Sequence, residues 1–337
     1  MKTRLILFSL LCITIITTSY CHAQANAPYI KNVSKKFKGR IDRTLVAIDN
    51  QFGDIIIKTW DRDEAQINGT ITIQAGDKDR ANQILSKTDL QPTRSHGIII
   101  CHTKIDSALS LSSNEKVNIN YILNLPSKTP LRLKNKFGNI DMGDFKGQLS
   151  IDESFGNLKA GNLLSLDSLN VKQGNVSIVC LHSGWMKVQG FETVNVDTVA
   201  GPCEGNYTEG QKLHIGFSNE RYKVNLGFHN IQDIDMAFPK EFSAYIALAE
   251  IVTKIQNHSS IKLVRDSPPD TSSKEIQIAG MKDGKVNEEV TSKKIKRLPK
   301  SLMLTIKAPI NYHGEAGDGA AYIKIYSVFS TLNLRNY

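Results

Sequence analysis

The amino-acid sequence predicts an all-β protein, and two periodicities carry that prediction. The shorter has a period of two: apolar and polar residues alternate in residues 67–73 and 117–125, where many of the apolar residues are β-branched. The longer is a repeat that returns in Phe137-Gly138-Asn139, Phe155-Gly156-Asn157 and Gln173-Gly174-Asn175, so one rung would take about 18 residues. Alternation at a period of two is typical of strands, and a fixed longer spacing is typical of repeat architectures.

The longer period also aligns two columns of apolar residues. They are Ile140, Leu158, Val176 and Val194, followed two places later by Met142, Ala160, Ile178 and Val196. One repeat cannot bury its own apolar face, whereas stacked repeats bury a continuous core. The pattern therefore predicts a single elongated β-solenoid with roughly four or five rungs over about residues 135–228, drifting after Gln189. Gly and Asn are expected at corners of positive φ. A β-sandwich with hairpins of even length is the alternative.

One short segment, residues 77–90, is predicted to be helical. Ala81, Ile84 and Leu85 lie at helical spacing, and Asp77 or Asp79 is the expected N-cap. We expect this helix to cap the N-terminal side of the rungs.

The first 23 residues have the pattern of a secretory signal peptide. Lys2 and Arg4 precede the apolar run Leu5–Ile16, and small residues lead to cleavage after Ala23 or Ala25. The remaining residues, 24–337, are then the mature chain, exported to the periplasm or the cell surface.

Two alternatives remain for this segment. An uncleaved membrane anchor is disfavoured because the apolar run is shorter than the roughly 20 residues that a span needs. A lipoprotein attached through Cys21 is disfavoured because Thr18-Ser19-Tyr20 is a poor lipobox. No other stretch approaches spanning length, so no transmembrane span is expected in the mature chain.

The composition excludes a disordered chain and argues against a nucleic acid as the partner. The 337 residues are 40% hydrophobic and 22% charged, and loss of Lys2 and Arg4 lowers the formal charge from +9 to +7. Basic clusters occur at 31–43 and 293–297, without interleaved stacking aromatics. Attraction to anionic lipid headgroups or acidic glycans is the better use for them, with plain solubility as the alternative.

The C-terminal third departs from the repeat. Residues 265–300 are polar and contain Pro268-Pro269, so we expect a long excursion between rungs. Strand patterning resumes at 302–306, and a Gly-rich turn at 314–319 precedes a final strand over 322–334.

No catalytic, cofactor-binding or metal-binding residue is assigned. Cys101 and His102 are adjacent and face opposite sides of a strand, whereas Cys180 and His182 share a face but supply only two ligands. The three cysteines of the mature chain are expected as buried thiols or with a Cys180–Cys203 disulfide.

One carboxylate pair supports an enzymatic alternative. Asp233 and Asp235 lie at i and i+2 on a predicted strand, so both project from one face at about 7 Å. That separation suits glycoside hydrolysis or Ca²⁺ binding, although solvated aspartates on an outer face are commoner.

Several motifs together resemble a known family. They are the Asn-x-Phe-Gly-Asp-Ile-x-Ile-x-Thr-Trp stretch at 50–60, the strand that ends in Leu125-Pro126, and the later Phe-Gly-Asn rungs. They resemble the exported bacterial "putative adhesin" domains of unknown function, of the Bacteroidota type, over most of residues 40–335. The resemblance implies a β-solenoid outside the cytoplasm and a role in adhesion, and the segment 265–300 departs from it.

Three functional hypotheses follow. The leading one is a non-enzymatic exported β-solenoid that binds an envelope or cell-surface partner, whether protein, glycan or lipid headgroup. Its candidate contacts are Trp60, Trp185 and the two basic clusters, although both tryptophans are more commonly core or corner residues. The second is a carbohydrate-active β-helix enzyme that uses Asp233 and Asp235. The third is a periplasmic accessory protein of envelope-stress signalling.

Overall fold

The computed structural model describes residues 28–251, 253–266, 278–282, 285–290, 310–316 and 321–337. Within these ranges the protein is all-β with one α-helix, which confirms the all-β part of the predicted fold class. The solenoid form stays a prediction. The signal peptide predicted over 1–23, the basic cluster at 293–297 and the strand predicted at 302–306 lie outside the described residues.

The secondary-structure elements up to residue 130 are β1 (Tyr29–Lys38), a 3₁₀ turn (Ile41–Arg43), β2 (Leu45–Gln51), β3 (Ile55–Thr59), β4 (Glu64–Gln74), α1 (Lys78–Ser86), β5 (Thr88–Leu90), β6 (Thr93–Ser95), β7 (Ile98–Ile105) and β8 (Lys116–Leu125). The strands from there to residue 240 are β9 (Leu131–Lys136), β10 (Ile140–Met142), β11 (Phe145–Ser154), β12 (Leu158–Lys172), β13 (Val176–Leu181), β14 (Gly184–Val199), β15 (Cys203–Phe217) and β16 (Lys223–Phe238). The remaining strands are β17 (Ala244–Ile251), β18 (Lys254–His258), β19 (Lys262–Arg265), β20 (Ile278–Lys282), β21 (Lys285–Val290), β22 (Ile310–Ala316), β23 (Ala321–Val328) and β24 (Thr331–Asn336).

The chain divides into two compact units. The described part of unit 1 comprises residues 28–31, 71–89 and 104–118, and unit 2 comprises the described residues of 32–70, 90–103 and 119–337.

Helix α1 is the main feature of unit 1. The Asp77 carboxylate accepts a hydrogen bond from the Arg80 backbone N–H at 2.7 Å, which confirms the predicted N-cap. Ala81 and Ile84 are buried, as their spacing predicted. The helix ends at Ser86, earlier than expected, because the chain enters β5 at Thr88. Its role as a cap of the rungs stays a prediction.

Unit 2 contains two ladders of parallel strands. One passes in order through β8, β3, β10, β12, β13, β14, β15, β16, β24 and β18. The other passes through β7, β2, β9, β11, β12, β14, β15, β16, β23 and β17. Strands β12, β14, β15 and β16 are long enough to join both ladders.

The strand registers confirm both predicted apolar columns. Ile140 pairs with Leu158, Leu158 with Val176, and Val176 with Val194, so each step between strands equals the period predicted from the sequence. The second column, two places later, pairs in the same way, and both columns are buried. The predicted drift after Gln189 is also found, since Val194 pairs with Leu213 where the strict period would place Lys212.

The ladders continue beyond the predicted limits of 135–228. Strand β3 pairs with β10 although residues 60–139 lie between them in the chain. A long insertion therefore interrupts the repeat in the sequence, but the strands on either side of it remain neighbours in the ladder. Among the described residues, 22 strands join one mixed sheet that is open rather than closed.

The C-terminal third differs in part from its prediction. Within 265–300, the described residues include an antiparallel hairpin of β20 and β21 in a sheet of its own. Strand β22 runs antiparallel to both β17 and β19 and includes Gly314, where a turn was predicted, while 317–319 lie outside the described residues. The predicted final strand is two strands, because Phe329 adopts a left-handed φ of 52° that turns the chain between β23 and β24.

Candidate functional site

Three phenylalanines form an exposed stack on unit 2. Phe52, Phe137 and Phe155 are 38%, 43% and 49% exposed. Their ring centroids are 5.3 Å and 5.0 Å apart, and interplanar angles of 9° and 20° show that the rings stack face to face. We call these three residues the phenylalanine ridge. An exposed row of apolar side chains of this kind marks a contact surface more often than an accident of composition.

The ridge occupies a corner where the backbone is left-handed. The φ angles of Phe52, Phe137 and Phe155 are 62°, 61° and 61°. The equivalent corner in later turns is occupied by Gln173, Glu209, Asn230 and Phe329, at φ between 52° and 57°. A left-handed conformation is costly for a bulky side chain. Because the corner also accepts Gln, Glu and Asn, the turn itself does not require phenylalanine.

The glycine after each ridge residue has a different role from the predicted one. Gly138, Gly156 and Gly174 do not carry the positive φ, which lies one residue earlier. A Cβ atom on each of them would overlap the carbonyl oxygen of the glycine one turn before, at Gly53, Gly138 and Gly156. Glycine is therefore required by the close approach of successive turns.

The asparagine after each glycine also departs from the predicted left-handed role and forms a ladder of side-chain hydrogen bonds. Asn139 donates from its backbone N–H and its side chain to Asp54 Oδ1, at 2.7 and 3.2 Å. Asn157 repeats both bonds to Asn139 Oδ1, each at 3.0 Å, and the backbone N–H of Asn175 donates to Asn157 Oδ1 at 2.9 Å. Asn120 begins the ladder by accepting from the Asp54 N–H at 2.8 Å. These bonds fix the corner beside the ridge.

Two lysines lie next to the ridge. Lys136 immediately precedes Phe137, and its Nζ lies 4.8 Å from the ring centroid of Phe137. Lys172 of β12, which pairs with Ser154 of β11, is also exposed. The ridge therefore presents aromatic edges next to positive charge, which suits an anionic or amphipathic partner.

A buried polar column lies beneath the ridge, two residues before each phenylalanine. Asn50, Asn135 and Glu153 are in register and almost wholly buried. Asn50 donates to the carbonyl oxygens of Gly53 and Ile119 at 3.0 and 2.9 Å and thereby holds the first corner. Burial raises the pKa of Glu153 to about 8, so this carboxyl group is protonated in the folded protein at neutral pH.

The sequence contained a signal for this column. The Asn-x-Phe-Gly stretch that contributed to the family resemblance recurs as Asn50-x-Phe52 and Asn135-x-Phe137, and Glu153 replaces asparagine in the third copy. The third copy therefore places a carboxyl group at a position that the other two copies fill with a buried amide.

Asp233 and Asp235 project from one face, as predicted, but both are engaged by neighbouring strands. Asn333 donates a hydrogen bond to Asp233. Arg335 binds Asp235 with both Nε and Nη2 at 2.8 Å, and His214 Nδ1 lies 2.8 Å from Asp235 Oδ2. Burial raises the pKa of Asp235, but the hydrogen bonds with Arg335 and His214 lower it by more, so the pKa lies below the ordinary value of an aspartate. The pair therefore joins β16 to β15 and β24.

The structure also shows the positions of the cysteines and histidines that the sequence analysis considered as metal ligands or disulfide partners. Cys101 is buried and His102 exposed, so they face opposite sides. Cys180 and His182 share a face with Sγ and Nε2 3.6 Å apart. No disulfide joins Cys101, Cys180 or Cys203, so the predicted disulfide alternative is not found. In the described part of the chain, no group of three His, Cys, Asp or Glu residues could hold a metal ion.

Trp60 and part of the first basic cluster make contacts within the protein. Trp60 Nε1 donates to the Glu64 carbonyl at 2.7 Å, and the Arg62 guanidinium lies 5.0 Å from its ring. Lys36 and Lys38 approach the Glu64 carboxylate at 3.7 and 3.9 Å. Trp185 is half-buried on the outer face of β14.

Unit 1 contains an open pocket of about 530 Å³ between α1 and residues 108–115. Its arginine is already satisfied, because Arg80 binds both oxygens of Glu115 at 2.7 and 2.9 Å. The hydrogen bonds from Arg80 lower the pKa of Glu115 to about 2. Arg80 and Glu115 therefore neutralise each other, and Lys87 is the remaining charged residue of the lining. Across the described residues, no helix is long and apolar enough to cross a membrane.

Comparison with known proteins returns solved structures only. No family model matches the sequence, and no curated protein matches it. The chain is similar to a "putative adhesin" from Bacteroides fragilis at 12% identity and a TM-score of 0.39, covering 91% of this chain and 97% of that one. It is similar to a "putative cell adhesion protein" from Clostridium sporogenes at 9% identity and a TM-score of 0.24, covering 92% and 100%. A "putative adhesin" from Parabacteroides distasonis matches at 11% identity and a TM-score of 0.33, covering 62% and 90%. These names agree with the family that the sequence motifs resemble.

Proposed function

We propose that the protein is an exported, non-enzymatic interaction protein of the bacterial envelope or cell surface, with the phenylalanine ridge as its contact surface. The observation that carries this proposal is the left-handed backbone of three exposed phenylalanines. Each such residue costs on the order of 1 kcal/mol, and the stack still leaves much of each ring in water. Because other turns use polar residues at the same corner, retention of phenylalanine is best explained by contact with a partner.

The architecture that we propose for this role is a β-solenoid. Two ladders share the strands β12, β14, β15 and β16, and the offset between paired positions is constant in the regular turns. Both features are expected when each turn of the chain adds one strand to each ladder. The signal-peptide pattern of residues 1–23 supports export, after which residues 24–337 form the mature protein.

The state of the Asp233 and Asp235 carboxylates supports a role without catalysis. A two-carboxylate hydrolase needs one protonated acid and one free base or nucleophile. Here Asp235 has a lowered pKa and a bidentate arginine, and Asp233 accepts a bond from Asn333. Both groups are better described as connectors between strands.

The ridge is tested by a double variant, Phe137→Gln with Phe155→Gln. Glutamine is chosen because Gln173 occupies the same corner at a φ of 54° one turn later. Wild-type protein, incubated with envelope fractions of the producing bacterium, is expected to sediment with them, and the double variant is expected to stay in the supernatant.

Phe329→Gln is the matched control, since it makes the same change at the same corner outside the ridge. It should sediment like the wild type. Equal sedimentation of the double variant and the wild type, or no sedimentation of the wild type, would reject the ridge as the contact surface. Cell fractionation with surface labelling addresses export separately. A periplasmic pool without surface exposure would favour the accessory role in envelope-stress signalling.

A further inference from the structure

A second candidate site lies on unit 2 along the outer face of β17. Ala247 and Ala249 point outward there and are partly exposed. Strand β23 lies on one side of β17 and β22 on the other. Because both flanking strands present larger side chains at the same level, the two alanines form the floor of a groove.

The β23 wall of the groove contains Tyr326 and Lys324, which are in register with Ala249 and Ala247. Tyr326 is 46% exposed, and its partners on the two adjacent strands are Ala249 and Gly227. Neither partner has a side chain large enough to cover an aromatic ring. Tyr326 thus differs from the phenylalanine ridge, where neighbouring rings cover each other, and it makes no ring contact with any other described aromatic residue.

The β22 wall contains Asn311 and His313, directly opposite Ala249 and Ala247. Asn311 is exposed, and its side-chain amide has both a donor and an acceptor. His313 Nδ1 is bonded to Asp266 Oδ1, which orients the imidazole and leaves Nε2 for a further hydrogen bond.

One end of the groove is bounded by aromatic rings. Tyr245 precedes the alanine floor on β17 and stacks on Tyr322 of β23, with centroids 5.6 Å apart and an interplanar angle of 7°. The two walls are separated by two strand spacings, about 10 Å, and the floor from Ala247 to Ala249 is about 7 Å long. A single six-membered sugar ring has these dimensions.

We infer that this groove binds an acidic saccharide, with one sugar ring against Tyr326. A pyranose has a face of C–H groups that packs on an uncovered aromatic ring and a rim of hydroxyl groups that bond to amides such as Asn311. Lys324 is exposed and forms no ion pair with any described residue, so it supplies the charge that a sugar carboxylate requires. The ligand class is therefore a saccharide that contains uronic acid.

The test is calorimetric titration of the full mature chain with tetragalacturonate and with its fully methyl-esterified form, which has the same shape without the charge. We expect tetragalacturonate to bind and the ester to bind about tenfold more weakly. Tyr326→Ala should lower the affinity for tetragalacturonate by about tenfold, whereas Tyr326→Phe, which keeps the ring, should lower it less than about threefold.

Lys324→Gln should remove the preference for the acid over the ester without changing binding of the ester. Phe137→Gln, many strands away from β17 along both ladders, serves as the unchanged control. The inference is overturned if tetragalacturonate does not bind, if Tyr326→Ala binds like the wild type, or if acid and ester bind equally. None of these outcomes depends on the phenylalanine ridge, so this site and the proposed contact surface stand or fall separately.

Discussion

At each corner of the regular turns, three consecutive residues meet three separate demands. Phe155 accepts a left-handed backbone, Gly156 allows the previous turn to approach, and Asn157 binds the turns above and below. A repeated Phe-Gly-Asn triplet is therefore the local solution to one geometry. The period shows in the sequence, whereas the division of roles among the three residues shows only in the structure.

Gly156→Ala should strongly destabilise the protein, because the new methyl group would overlap the Gly138 carbonyl oxygen. We expect the free energy of unfolding to fall by about 2–4 kcal/mol, measured by urea denaturation. Gly143→Ala is the matched control, since a Cβ there meets nothing within 4 Å. Similar losses in the two variants would show that steric exclusion is not the reason for glycine at 156.

Glu153 should make stability depend on pH above the ordinary range of a glutamate. The pKa of this group is about 8 in the folded protein against 4.5 in a free side chain. Between these values the unfolded chain releases a proton that the folded chain keeps, so the free energy of unfolding falls as pH rises, by at most about 1.4 kcal/mol per pH unit. The fall ends above about pH 8, where both states are ionised.

Glu153→Gln should remove this slope. The variant is expected to be more stable than the wild type at pH 8, with the difference shrinking towards pH 5, as followed by urea denaturation at both values. Asp152→Asn, an exposed carboxylate on the same strand, should leave the slope unchanged. A wild-type slope that survives in Glu153→Gln would assign it to another group.

Among the elements, those that follow the strict repeat period were the most predictable. The buried columns that begin at Ile140 and Met142 followed from spacing alone, since each position must face the same core. The pairing of β3 with β10 did not, because a long insertion between two strands leaves no period to detect. The antiparallel direction of β22 could not be predicted either, since the direction of a strand depends on chain connections that the local residue pattern does not encode.

The asparagine ladder connects these elements, and its removal should weaken them measurably. Asn157→Ala deletes the bond to Asn139 and the bond accepted from Asn175, each worth about 1 kcal/mol. A fall of about 1–2 kcal/mol in the free energy of unfolding is expected from urea denaturation. Asn170→Ala, at a half-buried position on the outer face of β12, which begins one residue after Asn157, should cost less than half as much. Equal costs would mean that the ladder adds nothing beyond the loss of an asparagine side chain outside the core.

For the candidate site, the sequence identified the motif but not the surface. Phe137 and Phe155 were part of the repeat that predicted the fold, and exposure of their side chains could not be inferred from it. Tyr326 lay on a predicted strand without any sign that its neighbours across the sheet are Gly227 and Ala249. Cross-strand neighbours come from distant parts of the chain, so single-sequence patterning does not reveal open aromatic rings.

At the scale of the whole molecule, the repeated register makes one turn removable. Deletion of residues 156–173 would join Phe155 to Gly174 and place Val176 against Ile140 in the same register that Leu158 now occupies. We expect this variant to keep its β-sheet circular dichroism spectrum and a cooperative thermal transition. Deletion of residues 156–164, half a turn, should prevent folding because polar residues would enter the core. Failure of both deletions would argue against interchangeable turns.

The antiparallel strand β22 has a consequence for the protein in concentrated solution. A ladder of parallel strands exposes at its last strand a template on which another chain could continue, and head-to-tail addition of this kind gives open filaments. Beyond β17, however, the next strand runs in the opposite direction and pairs with β19. A second molecule cannot continue the parallel register of this ladder across β22, so this end of the ladder does not offer a template for the addition of another chain.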